Sequence, residues 1–230
     1  MHHLQKLVLC GDQGGSGTPW TIDDLHLCFA RNTQLQTLDL YGVSGNPSEL
    51  LYTAGSILPR LKSLLLEGNP AMHDSGLQKL LSSIQSPIRN LTLQDLPLLT
   101  AQGCIRAILS GKNGELQHLR ILIDEAEEDA IGEVENPDWL MQSPELRSLR
   151  LSGSLCRWDI LKHLPPKLSN LGISRARGMG KGLLFAAVER WCNSTVGCKK
   201  SLFIWGSPTA ILDQSQVRVS RLCHFWSTTE

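Results

Sequence analysis

The hydrophobic positions of the chain fall into one recurring figure. Leucine or isoleucine occupies the first, fourth and sixth places of a short segment, L-x-x-L-x-L. The copies are Leu4, Leu7, Leu9; Leu35, Leu38, Leu40; Leu61, Leu64, Leu66; Ile88, Leu91, Leu93; Leu116, Leu119, Ile121; Leu146, Leu149, Leu151; and Leu168, Leu171, Ile173. In an eighth copy Lys199 takes the first place, and Leu202 and Ile204 keep the other two. Successive copies begin 31, 26, 27, 28, 30, 22 and 31 residues apart. A single copy means little, because leucine is common; eight at near-regular spacing make an internal repeat. Within each copy the alternation of the fourth and sixth places predicts a short strand with one buried face. The eighth place is often glycine (Gly11, Gly42, Gly68, Gly153 and Gly206), a residue that lets the chain turn sharply out of a strand.

Between the strands the sequence predicts helices. Thr21-Ile-Asp-Asp24 resembles a capping box and opens one to about Arg31. Others are expected over 49–58, 76–84 (after Asp74-Ser75), 101–109 (after Thr100), 137–142, 157–164 and 180–192. Each strand is thus followed by a turn and a helix. Such a unit cannot bury its leucines alone, and stacking units builds a continuous core.

The repeats resemble the leucine-rich repeat family. The strand segments match it, and Leu66-Glu67-Gly68-Asn69 reproduces its asparagine, although Val43, Leu96 and Ser154 stand at that place elsewhere. Units near 28 residues look like the ribonuclease-inhibitor-like subclass, shared by F-box proteins, nucleotide-binding immune receptors and ribonuclease inhibitors. The irregular lengths, and Leu164-Pro-Pro-Lys-Leu168 before a strand, look most like fungal F-box-type proteins. The resemblance implies an α/β fold: a right-handed leucine-rich repeat horseshoe of about eight strand–helix units, with a parallel sheet on its concave face. The whole of 1–230 is read as one such domain, with an acidic insertion at about 124–138 and a C-terminal cap at about 207–230.

Charge adds a local picture. Lysine plus arginine and aspartate plus glutamate each total 22, for a net charge of zero. That balance argues against a general nucleic-acid binder, which needs surplus positive charge to release counterions. Yet Asp124 to Asp138 holds eight acidic residues and no basic one, and the chain after it carries thirteen basic and five acidic residues. The insertion is a solvated loop, a contact for a basic partner, or a brace against the basic C-terminal part. The first strand starts four residues into the chain with no polar cap before it, which suggests a truncated piece or an end covered by, and associating with, another subunit. Val217, Val219, Leu222, Phe225 and Trp226 are candidates to close the other end.

Candidate chemistry is sparse. Seven cysteines, an odd number with no C-x-x-C, point to small buried residues in a reducing, intracellular compartment. No stretch of 18 apolar residues predicts a membrane span. H-E-x-x-H and G-x-S-x-G are absent. Gly178-Met-Gly-Lys-Gly182 resembles half a phosphate loop, but Gly182 stands where serine or threonine is required. The sequons at Asn90 and Asn193 read as chance. No catalytic, cofactor or metal residue is therefore assigned, and no enzyme activity or cofactor is expected.

The expected function is binding. Strand alternation turns the third, fifth and seventh places of each copy to the concave side. Partner-contact candidates there are Asp39, Tyr41, Glu67, His118, Arg120, Arg150, Phe203 and Trp205. Arginine and aromatics are the commonest interface anchors. Solvation of the arginines, and burial of Phe203 and Trp205 under the C-terminal segment, are the competing readings. The chain is thus expected to be a non-enzymatic scaffold for a protein partner, without nucleic acid or membrane. By resemblance it is the substrate-recognition region of an F-box-type ubiquitin ligase adaptor. The alternative is a sensor fragment of an immune-receptor or ribonuclease-inhibitor-like protein.

Overall fold

In a computed structural model the eight predicted strands, and one more, form a single parallel sheet in sequence order. The structure describes residues 4–11, 22–43, 57–112, 114–123, 138–156, 158–174, 186, 189–191, 200–205 and 223–227. The strands are β1 (Lys6–Cys10), β2 (Thr37–Tyr41), β3 (Ser63–Glu67), β4 (Asn90–Gln94), β5 (His118–Leu122), β6 (Ser148–Ser152), β7 (Asn170–Ser174), β8 (Lys200–Trp205) and β9 (Cys223–Ser227). The α-helices among the described residues are α1 (Ile22–Arg31), α2 (Asp74–Ser83), α3 (Ala101–Ser110) and α4 (Trp158–Leu161). The architecture is α/β with one open parallel sheet, compatible with a repeat solenoid.

Register makes the repeat visible in space. Leu38, Leu64, Leu91, Leu119, Leu149, Leu171 and Leu202 face one another as successive Cα partners, and so do Leu40, Leu66, Leu93, Ile121, Leu151, Ile173 and Ile204. From Leu35 to Leu171 the first-, fourth- and sixth-place residues are all buried. Together with Phe29, Leu77, Leu80, Cys104, Ile105 and Ile108 from the helices they form one apolar cluster. A fully buried leucine contributes about 1.5–3 kcal/mol. In β1, the edge strand, Leu7 is only partly buried and Val8 is exposed.

The backbone repeats as closely as the side chains. The carbonyl at the second place of one copy accepts two N–H groups from the next. Gln5 receives Gln36 and Thr37, Gln36 receives Lys62 and Ser63, Lys62 receives Arg89 and Asn90, and Arg89 receives Gln117 and His118, at 2.7–3.0 Å. After β2, β3 and β6 the eighth place turns left-handed: φ is 57° at Gly42, 63° at Gly68 and 62° at Gly153. Asp95 fills the same place after β4 at φ 51°, one of the few side chains that tolerate it. At the ninth place Asn69 is fully buried and satisfied. Its Nδ2 donates to the Leu40 and Glu67 carbonyls at 3.2 and 3.0 Å, and its Oδ1 accepts from Val43 N–H at 3.1 Å. It ties the turn after β3 to the turn after β2.

The helical layer departs from expectation in three places. His73, rather than Asp74-Ser75, caps α2: its Nδ1 accepts from Gly76 N–H at 3.1 Å. Asp74 is thereby the first helical residue, and its carboxylate reaches the next unit. It accepts from Thr100 N–H at 2.9 Å and from the Thr100 hydroxyl at 2.7 Å. The same hydroxyl caps α3 by accepting from Gly103 N–H at 2.9 Å. The stretch expected over 137–142 is a 3-10 turn, Trp139–Gln142, with no side-chain cap. The one over 157–164 is reduced to α4 behind a second 3-10 turn, Gly153–Leu155. Of the two, only the β6–β7 connection, residues 153–169, is shorter than the β3–β4 connection, residues 68–89, that carries α2. The capping residue Thr21, most of 49–58 and 180–192, the acidic segment 124–137, Gly178–Gly182 and most of the C-terminal segment lie outside the described residues. Cys223–Ser227, including Phe225 and Trp226, continues the sheet as its ninth strand.

Gly103 tests the α2–α3 link. A Cβ there would stand 1.9 Å from Asp74 Cγ. Gly103→Ala improves helix propensity by about 1 kcal/mol. The clash costs about 1–3 kcal/mol, and displacing Asp74 also breaks its charge-assisted hydrogen bonds. Urea unfolding should therefore show net destabilisation, and in an Asp74→Ala background the same substitution should become neutral or stabilising. Equal effects in both backgrounds would disprove the link.

Candidate binding face

The face opposite the leucines carries three rows, one from each outward place. The third-place row runs Lys6, Thr37, Ser63, Asn90, His118, Ser148, Asn170, Ser201. The fifth-place row runs Val8, Asp39, Leu65, Thr92, Arg120, Arg150, Gly172, Phe203. The seventh-place row begins Cys10, Tyr41, Glu67, Gln94, Leu122. Neighbours in a row are separated by one strand spacing, about 4.8 Å.

The predicted residues form two groups. At the β2–β3 end Asp39 is buried rather than exposed, because Lys6 lies across it: Lys6 Nζ is 2.8 Å from Asp39 Oδ2. The hydrogen bond and charge of Asp39 raise the Lys6 pKa. Tyr41 and Glu67 are half-buried, and Gln94 Nε2 donates to Glu67 Oε1 at 3.5 Å. The negative charge at this end is therefore partly occupied within the face. His118, Arg120 and Arg150 form the second group, on β5 and β6. His118 is exposed, whereas both arginines are half-buried. Phe203 and Trp205 belong to β8, in register with Gly172 and Ser174, and their side chains lie outside the described residues. Ser152, also expected to face outward, is buried because its hydroxyl donates to the Ile123 carbonyl at 3.0 Å.

Arg120 and Arg150 are Cα partners, so two guanidinium-bearing side chains rise from adjacent strands at the same height. Burial and the neighbouring Arg120 charge lower the Arg150 pKa. The Arg120 Nε is shielded from solvent and has no hydrogen-bond partner. Along their row the flanking residues are Thr92 and Gly172, neither of them charged. Asp39 is three strands away from Arg120, about 14 Å.

Sequence reasoning missed two features elsewhere. A cleft of about 290 Å³ is lined by Ile108, Leu109, Gly111, Lys112, Gly114, Trp139, Gln142 and Ser143. Trp139 is buried there with no partner for its indole N–H. The helix expected over 137–142 carries no sign of a cleft. Lys200 is buried beside Trp191: its Nζ donates to the Trp191 carbonyl and lies 5.0 Å from the ring centroid. Among the described residues no three His, Cys, Asp or Glu side chains cluster as metal ligands, and no helix is long and apolar enough to cross a membrane. Cys10, Cys28, Cys104 and Cys156 are in no disulfide: Cys104 and Cys156 are buried, Cys28 is intermediate and Cys10 is exposed.

No protein-family model matches the chain, and no curated protein matches it in sequence.

Two measurements probe these environments. Burial pushes the Cys156 thiol up to about 12, against a smaller opposing effect of a backbone hydrogen bond at Ser174. Its stabilising protonated state holds below the ordinary thiol range and is lost as pH rises toward 12. At about pH 8 peptide-mapped alkylation should label Cys10 readily and leave Cys104 and Cys156 unmodified until the chain unfolds. Rapid labelling of Cys156 in the folded chain would contradict its burial. For the arginines, Arg120→Met keeps the aliphatic stem and removes one of two like charges. It should leave stability unchanged or raise it by up to about 1 kcal/mol, more at low salt. A loss above that size would mean that Arg120 is held by interactions within the fold.

Proposed function

We propose that the chain is a leucine-rich repeat solenoid of the ribonuclease-inhibitor-like subclass that binds a protein partner on the concave face of its sheet, without catalysis. The observation that carries this reading is the pair Arg120 and Arg150, adjacent on the open face and half-buried, with the Arg120 Nε left without an acceptor. The shielded Arg120 Nε–H without an acceptor costs stability in the isolated chain, and a partner that supplies an acceptor to it removes that cost. Tyr41 and His118 lie on the same face and extend the contact. The eight-fold L-x-x-L-x-L figure and the buried, turn-tying Asn69 support the family. Repeat lengths and the Leu164–Leu168 segment support a place in the substrate-recognition region of an F-box-type ubiquitin ligase adaptor. Buried thiols outside any disulfide at Cys104 and Cys156 fit a reducing, intracellular compartment.

The test compares three immobilised chains exposed to extract: wild type, Arg120→Ala/Arg150→Ala, and Lys79→Ala on the exposed side of α2. Mass spectrometry should find proteins retained by wild type and by Lys79→Ala and lost from the double variant, with melting temperatures unchanged. Retention of the same proteins by all three chains would reject the arginine-centred face.

A further inference from the structure

We propose that the cleft between the end of α3 and the 3-10 turn Trp139–Gln142 binds a small carboxylate with an apolar body. The site is separate from the open face of the sheet and does not depend on the reading given for that face.

The cleft follows from a mismatch between neighbouring units. α2 and α3 have ten residues each and pack on one another, whereas the next unit sets only the four-residue turn against α3. Ten residues of α-helix run about 15 Å, and four of 3-10 helix about 8 Å. The turn therefore does not match α3 end to end. The gap opens at the last turn of α3, where Ile108 and Leu109 line it, with Trp139 and Ser143 from the next unit. Its volume of about 290 Å³ stands at the lower end of small-molecule sites. Gly114 also lines the cleft, and a Cβ there would meet nothing within 4 Å.

The lining side chains bring donors and no acid. Lys112 carries an ammonium with three N–H groups, and its Nζ donates to the neutral Gln85 carbonyl at 3.0 Å. The indole N–H of Trp139 meets no acceptor. Gln142 adds an amide and Ser143 a hydroxyl. At the end of α3 the Ala107 carbonyl accepts from the Ser110 hydroxyl at 2.7 Å, and the Ile108 carbonyl from Gly111 N–H at 3.1 Å. A ligand that suits this set has acceptor oxygens with negative charge at one end. At the other it has apolar atoms to lie on Ile108, Leu109 and the Trp139 ring. A carboxylate meets the ammonium with charge-assisted hydrogen bonds, and a ligand amine would meet a like charge. The indole N–H is covered, so a ligand oxygen reaches it only as neighbouring side chains shift; Gln142, which is exposed, has room to do so.

The experiment titrates the full chain with phenylacetate, phenylacetamide and phenethylamine, which share a ring and differ in charge. Binding is read from the tryptophan indole N–H resonances of nitrogen-labelled protein. Phenylacetate should shift one of them, with phenylacetamide at least about fivefold weaker, phenethylamine without effect, and affinity falling as salt rises. Lys112→Gln should weaken phenylacetate about fivefold or more at an unchanged melting temperature. Gly114→Leu, which fills the cleft, should abolish binding, and Arg120→Ala/Arg150→Ala should leave it intact. Binding of no probe, or equal binding of all three, overturns the inference. So does full retention in Lys112→Gln or in folded Gly114→Leu, or loss in the double arginine variant, which would put the carboxylate on the open face.

Discussion

Equivalent positions of successive strands lie directly beside each other, and the rest of the molecule follows from that register. Each leucine at the fourth or sixth place needs the matching leucine of the next strand to complete its burial. A slip of one residue would turn the whole apolar row outward. The shared second-place carbonyl and the left-handed eighth place hold the register at both ends of the strands. Asn69 adds side-chain hydrogen bonds between consecutive turns, where a buried unmet polar group would be costly. Stability is thus distributed between neighbours, with no single centre.

The same register governs the polar face. Residues that share a place in the repeat are forced into proximity whether or not their chemistry suits it. Lys6 and Asp39 occupy different places and resolve their charges by reaching diagonally across two strands. Arg120 and Arg150 occupy the same place and meet as like charges. A core tolerates identical neighbours because leucine packs on leucine. A charged row brings like charges together, and in the Arg120–Arg150 pair the Arg120 Nε is left without an acceptor.

Strand positions were legible in the sequence because a two-residue alternation anchored by leucine leaves little freedom. Glycine at the eighth place announced the left-handed turns, though Asp95 shows that the backbone demand outlasts the glycine. The helix starts were harder to read. His73 takes a capping role that propensity assigns to its neighbours, since Asp74 is drawn away by Thr100, 26 residues further on. On the open face, alternation gave the rows and the Arg120–Arg150 adjacency. It could not show that Lys6 covers Asp39 or that the Ser152 hydroxyl turns to the Ile123 carbonyl, because those depend on side-chain reach between units.

The packing of α2 on α3 has a geometric consequence. Helices in contact keep axes about 8–10 Å apart, whereas neighbouring strands sit about 4.8 Å apart. These two helices belong to successive units and are tied through Asp74 and Thr100. The outer layer therefore needs nearly twice the width of the inner one per step. A sheet loaded in this way relieves the mismatch by curling away from its helices, as a bimetal strip bends toward its shorter side. Such curling would draw the tips of outward side chains closer together than their Cα atoms.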